Sequence, residues 1–178
     1  MNRTLLGLAG LALTALSPAT TITFDDLANG TVVTNQYAGV TFSSPSFNTA
    51  YAFGPGNILC TPECLDDTYI DWDNPINNLR FEAIEPNFDG PDATFKIFQN
   101  GVHTATEVLI GLGGGGNKWV DLSAYNNITR LEIVDILVDP VFENGIGWDN
   151  FSYDAVPEPG TMVALGLGTL LVLRRRKK

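Results

Sequence analysis

Thr21-Ile22-Thr23-Phe24 and Gly39-Val40-Thr41-Phe42-Ser43 alternate polar and apolar side chains at every second position. Successive side chains of an extended strand point to opposite faces, so this period buries one face and wets the other. The same signature recurs along the chain. Leu79–Ala83, Ala93–Phe98, Thr106–Ile110, Lys118–Leu122, Ile128–Ile136 and Gly147–Tyr153 are short and rich in β-branched or aromatic residues. Gly, Pro, Asn or Asp bounds each of them, as turn chemistry requires. No stretch between residues 20 and 155 sustains a helical period, and Ser123–Asn127 offers at most one helical turn. Eight or more strands at this spacing predict an all-β fold, an antiparallel β-sandwich or jelly roll.

Both ends of the chain depart from this pattern. Met1-Asn2-Arg3 carries a positive charge, Thr4–Leu16 is uncharged and mostly apolar, and Ser17-Pro18-Ala19 supplies small residues. That order predicts a secretory signal peptide over residues 1–19, removed by signal peptidase after Ala19. At the other end, Val156-Pro157-Glu158-Pro159 precedes an apolar run, Gly160–Leu173, and a basic stop, Arg174-Arg175-Arg176-Lys177-Lys178. The two prolines fix φ and remove two backbone donors, so the motif stays extended and open to an enzyme. The 14-residue run predicts a single hydrophobic helix. Its length would be about 21 Å against ~30 Å of hydrocarbon, which suits a temporary anchor better than a lasting one. Terminal cations favour the cytoplasmic side and place the body outside.

Motif, apolar run and basic cluster together resemble the PEP-CTERM sorting domain of Gram-negative bacteria. The resemblance implies processing by an exosortase, an inner-membrane intermediate held through the C-terminal helix, and a final place at the outer surface or in an exopolysaccharide matrix. Three regions follow: the signal peptide (1–19), an ectodomain (20–155) and the sorting signal (156–178). Ile22-Thr23-Phe24-Asp25-Asp26-Leu27, Gly30-Thr31, Gln36-Tyr37, Gly39-Val40-Thr41-Phe42 and Asp149-Asn150-Phe151 resemble the jelly-roll ectodomains common in such proteins, which are similar in outline to carbohydrate-binding modules.

The net charge of −10 understates the acidity of the ectodomain. Its cations are Arg80, Lys96, Lys118 and Arg130, against 19 of the chain's 20 acidic residues. Such a surface repels a phosphate backbone and excludes nucleic acid as a partner, while it attracts divalent cations. Cys60 and Cys64 bracket Thr61-Pro62-Glu63, and in an exported chain an even, nearby pair is expected to form a disulfide. With His103 the only histidine, a four-ligand zinc site is not expected.

Two acidic groups are candidates for a cation. Pairing of the first and last strands would bring Asp25, next to Asp26, close to Asp149, and would make them candidate ligands of a structural calcium. Glu63, Asp66, Asp67, Asp71 and Asp73 surround Trp72 without the Gly and Glu spacing of an EF-hand, and are expected to rim a solvated loop. Gly111–Gly116, followed by Asn117-Lys118-Trp119, lacks the Gly-Lys-Ser/Thr ending of a phosphate loop and reads as a flexible hairpin connection.

Trp72, Trp119, Trp148, Tyr51 and Tyr125 are candidates for stacking on sugar rings. No Ser or Cys nucleophile motif accompanies His103, and no acid pair stands in a hydrolase motif. The expectation is a non-enzymatic surface or matrix protein with a structural or adhesive role. A carbohydrate-binding module acting on exopolysaccharide is the alternative, and a glycoside-active enzyme the weaker one. A sheet face with two or three exposed aromatics would favour sugar binding.

Overall fold

In the computed structural model, residues 19–61, 64–84, 91–111, 116–135 and 145–157 are described. The signal peptide expected from the sequence, up to residue 18, and the sorting signal from Glu158 through the hydrophobic run to the basic stop lie outside them. Among the described residues no helix is long and apolar enough to cross a membrane.

The described residues form eleven strands: β1 (Ala19–Ile22), β2 (Val32–Val33), β3 (Val40–Ser43), β4 (Asn48–Phe53), β5 (Gly56–Cys60), β6 (Thr68–Ile84), β7 (Pro91–Gln99), β8 (Val102–Ile110), β9 (Asn117–Asp121), β10 (Ile128–Asp135) and β11 (Gly147–Ala155). Every strand pairing is antiparallel. The all-β expectation therefore holds.

The 17-residue β6 belongs to two layers. Its first part pairs with β3 and β10, and β10 continues to β7 and β8. Its last part pairs with β9 and β11, and β11 continues to β5, β4 and β2. Asn78, at φ 57°, sits at a register shift in the stretch paired with β11, between the Arg80–Ser152 and Asn77–Asp154 pairs. Aromatic rings join the layers. Phe81 of β6 meets Phe95 of β7 edge-on at 5.3 Å, and Trp148 of β11 meets Phe95 at 5.8 Å. Phe42 of β3 meets Phe151 of β11 at 6.1 Å. Phe24, Phe42, Phe81, Phe95 and Phe151 are all fully buried, and edge-to-face pairs at these separations add to their area burial.

Several sequence expectations change. The stretch around Trp72 is not a solvated loop. Asp71, Trp72 and Asp73 lie inside β6, and Trp72 faces the core because alternation hides every second residue. Trp148 is also core, so neither tryptophan can serve a sugar. The glycine-rich connection is not a hairpin. β8 pairs with β7 and β9 with β6, so the strands flanking it are not each other's hairpin partners; residues 112–115 lie outside the described part. Strands β2, β4 and β5 had no strong periodic signal.

A disulfide joins Cys60 and Cys64, with Cα atoms 4.8 Å apart. It packs with Ile58 and Ile84 in a small cluster separate from the main core.

Candidate functional site

The first and last strands pair, with Ile22 opposite Phe151 and Ala19 opposite Asp154. Just beyond this pairing both strands break regular geometry. Phe24 takes φ 59° and Asn150 takes φ 54°. Left-handed backbone is unusual for a bulky aromatic residue and costs roughly 1–3 kcal/mol. The surrounding packing offsets that cost, since the Phe24 ring sits 5.6–6.0 Å from Tyr37, Phe42 and Phe151.

At Asn150 the strand bulges. Asp149 is opposite Glu82 and Ser152 is opposite Arg80, so β11 holds one residue more than β6 between these pairs. A bulge re-aims side chains. Here it turns Asp149 and Asn150 to the outer face together and returns Phe151 to the core. Asn150 Nδ2 donates to Glu82 Oε2 at 2.8 Å and to Asp149 Oδ2 at 3.3 Å.

The turn at Phe24 brings two further acids over this face. Asp25 Oδ1 accepts the Asn57 backbone N–H at 2.9 Å, and Asp26 Oδ1 accepts the Tyr37 hydroxyl at 2.6 Å. Burial, then the hydrogen bond to Asp26, pushes the Tyr37 phenol well above its ordinary range. Asp25 lies directly over Gly56, where a Cβ would meet Asp25 Oδ1 at 2.3 Å. Asn57 Nδ2 donates to the Leu27 carbonyl at 2.7 Å and pins the turn to β5.

Asp149 is the perturbed group of this floor. Burial raises its carboxyl most, the Asn150 backbone N–H pulls it down, and the charges of Asp25 and Glu82 raise it further, to about 6. Its Oδ1 is buried without a hydrogen-bond partner among the described residues. Asp25 and Asp149 thus sense each other electrostatically. Among the described residues, however, no group of three His, Cys, Asp or Glu side chains is arranged to hold a metal ion. A calcium ion takes six to eight oxygens, so these two carboxylates would supply only part of its shell, with Asp149 Oδ1 the oxygen left free to do so.

The same outer face carries aromatic side chains at both margins. Tyr51 is opposite Ile58, Leu59 is opposite Trp148, Asp149 is opposite Glu82, and Glu82 is opposite Trp119. Continuing the β5–β11 register by one residue sets Ile58 beside Asp149. Tyr51, Ile58, Asp149, Glu82 and Trp119 therefore form one row across β4, β5, β11, β6 and β9. Four strand spacings separate its ends, about 19 Å. Trp119 is 57% exposed, Tyr51 51% and the neighbouring Phe53 38%, whereas Ile58 is 6% exposed. The row is exposed at its two aromatic ends and buried at Ile58.

The second acidic group has a different fate. Asp71 is held by Arg130, whose Nη1 donates to both carboxylate oxygens at 2.9 and 3.0 Å, while Arg130 Nε donates to Glu132 at 3.0 Å. The guanidinium also lies over the Tyr69 ring at 5.2 Å and the Phe98 ring at 6.0 Å. Its charge is already satisfied on several sides. Glu63 lies outside the described residues. Tyr125, another sugar-stacking candidate, is partly buried and hydrogen-bonds through its hydroxyl to Glu107.

Sequence reasoning placed Asp25, Asp149, Tyr51 and Trp119 among the candidates but missed Glu82, Gly56 and Phe53. Glu82 was findable, because alternation in Leu79–Ala83 puts it on the outer face. Gly56 and Phe53 lie in strands without a clear pattern.

Two comparisons with known proteins bear on the chain. Its body is a β-sandwich domain with a half-buried acidic floor. Its tail is a PEP-CTERM protein-sorting motif, matched over residues 155–177. The match begins at the last residue of β11. This motif marks the chain for exosortase-sorted export with a membrane-anchored intermediate. No curated protein matches the chain. Among solved structures it is similar to the K2 cleaved adhesin domain of Lys-gingipain, with 15% identity over 76% of this chain and 97% of that one, at a TM-score of 0.47. It is also similar to a family 29 carbohydrate-binding module, with 13% identity over 77% of this chain and 89% of that one, at a TM-score of 0.43. A family 29 module from Piromyces equi gives 9% identity over 78% and 91%, at a TM-score of 0.42.

Proposed function

We propose that the chain is an exported, non-enzymatic protein of the bacterial outer surface or extracellular matrix, with a structural or adhesive role. One observation carries this reading: the sorting motif starts where the last strand stops. Val156 donates the final backbone hydrogen bond, to the Pro75 carbonyl at 2.9 Å. Pro157 then has no N–H to donate and cannot add a further bond of this kind. In this reading signal peptidase and exosortase trim the two ends, and an acidic β domain is left outside the cell. Its charge keeps it soluble there.

The test is cell fractionation in a host that carries an exosortase, comparing the natural chain with one in which Pro157, Glu158 and Pro159 are all alanine. The natural chain should reach the surface or medium as a shortened product. The altered chain should remain full length in the inner membrane. Equal release of both at the same mass would refute the reading.

A second reading, a carbohydrate-binding module, is favoured by the exposed Tyr51, Phe53 and Trp119 on one sheet face. A structural calcium at Asp25 and Asp149 is proposed with it, on the strength of the unpartnered Asp149 Oδ1. Calcium should then raise the melting temperature of the natural chain over a chelator control and leave Asp149→Asn unmoved. An equal response in both proteins would remove calcium from this site.

A further inference from the structure

The row between Tyr51 and Trp119 has a definite chemistry, and the inference drawn from it rests on the carbohydrate-binding reading above. Its ends are aromatic and acids stand between them. Trp119 and Tyr51 each expose more than half of their surface, at opposite ends of one cross-strand row. Exposed rings of this kind stack on flat apolar faces and hydrogen-bond at their rims. Between them stand Asp149 and Glu82, direct cross-strand neighbours, with Asp25 over Gly56 beside them. The nearby cation on this face, Arg80, is occupied by Asp121 at 2.9 Å. Asp149 and Glu82 therefore put negative charge on two adjacent strands inside a row about 19 Å long between its aromatic ends.

Charge decides among occupants. A polyuronate, a nucleic acid or a second copy of this acidic chain would bring like charge onto Asp149 and Glu82, which costs several kcal/mol at close quarters. We propose that this sheet face binds a polysaccharide rich in amino sugars. The sugar rings lie across the strands, stacking on Trp119 and Tyr51. In the calcium-free protein their ammonium groups face the carboxylates of Asp149, Glu82 and Asp25, taking the place a calcium ion would otherwise hold at Asp25 and Asp149. A hexosamine polymer supplies both features at once, apolar ring faces at its ends and regularly spaced cations between. A basic peptide supplies only the second.

The experiment is titration calorimetry with the full chain in detergent. The probes are a fully de-N-acetylated glucosamine hexamer, cellohexaose as its neutral twin, an oligogalacturonate as its anionic twin, and oligolysine as a cation without sugar rings. The glucosamine hexamer should bind most tightly and lose affinity as salt is added. Trp119→Ala should weaken it roughly five- to tenfold, about one aromatic stacking contact. Glu82→Gln should reduce the preference over cellohexaose. Val102→Ala, on a strand of the other layer, should leave binding unchanged. Equal binding of the amino and neutral hexamers, with Trp119→Ala still weakening both, would overturn the amino-sugar assignment and leave the carbohydrate-binding reading standing. Binding of oligolysine as tight as the hexamer and insensitive to Trp119→Ala would overturn it in favour of a basic protein partner. No binding of any glycan would remove both readings. Circular dichroism melts of each variant show whether a lost affinity reflects lost folding.

Discussion

Replacing Asp149 by Asn should make the protein more stable near pH 8 and leave it unchanged near pH 3.5. The Asp149 carboxyl rises from 3.8 to about 6 on folding, because burial and the charges of Asp25 and Glu82 outweigh the Asn150 backbone N–H. Folding therefore favours the protonated form. That contribution to stability is fully present below pH 3.8 and is lost as pH climbs through about 6. The rise corresponds to about 3 kcal/mol at 1.36 kcal/mol per pH unit. The carboxyl is only half buried, so solvent screening reduces this to about 1–2 kcal/mol. Asparagine is neutral at every pH and keeps an acceptor for the Asn150 N–H, so the difference between variant and natural chain isolates this one group. Chemical denaturation followed by tryptophan fluorescence, at about pH 3.5, 5 and 8, reads it out. The gain should be near zero at the lowest pH, open between about 4 and 6, and then stay flat, with a melting shift of about 4–8 °C at pH 8. An equal gain at all three pH values, or a loss at pH 8, would refute the electrostatic account of the floor.

Other expectations follow from packing and covalent geometry. Gly56→Ala places a Cβ 2.3 Å from Asp25 Oδ1; Asp25 must leave the Asn57 N–H, and the variant should lose about 1–3 kcal/mol in the same denaturation assay. Phe81→Ala empties the point where Phe95, Trp148 and Phe151 converge and should cost about 3–5 kcal/mol by urea titration. Changing both Cys60 and Cys64 to Ala opens the small loop closed by the disulfide and should cost about 2 kcal/mol in the chain-entropy account, measured as a lower denaturation midpoint.

How far the sequence revealed this fold depends on whether a strand has one wet face. β3 hides Val40 and Phe42 and exposes Thr41 and Ser43, so its alternation is plain. β4 shows three consecutive exposed residues, Tyr51, Ala52 and Phe53, and β5 three consecutive buried ones, Ile58, Leu59 and Cys60. Neither has a period to detect. β5 loses its polar face because the disulfide and Ile84 cover that side. β6 misled for another reason. Its acids at Asp71 and Asp73 resemble a loop, but Arg130 of β10 answers Asp71 from the neighbouring strand, and that partner is 59 residues away in sequence. The site was legible only at its anchors. Asp25 and Asp149 could be paired by supposing that the terminal strands meet, but the bulge at Asn150 that turns Asp149 and Asn150 outward together leaves no mark in composition.

That bulge also ties the site to the manner of export. β1 pairs along the final residues of β11, with Ala19 opposite Asp154. The first described residue thus lies opposite the residue that precedes the matched sorting motif. Cleavage after Ala19 would leave Thr20, Thr21 and Ile22 to hold this seam, with Ile22 opposite Phe151 as its buried anchor. Phe24 and Asn150, the two strained residues, follow directly on the inner side. Their geometry is maintained by Phe151 and the seam beyond it. A cut two residues further into β1 would remove the partners of Tyr153 and Ser152, a cut three residues further that of Phe151 as well, and release the strain that positions Asp25 and Asp149. Signal-peptide trimming is therefore expected to be sharply placed. A chain starting at Thr20 should keep the raised Asp149 pKa, readable by carboxyl NMR. One starting at Thr23 should lose it, and survival of that pKa in the shorter chain would show that the seam does not hold the floor.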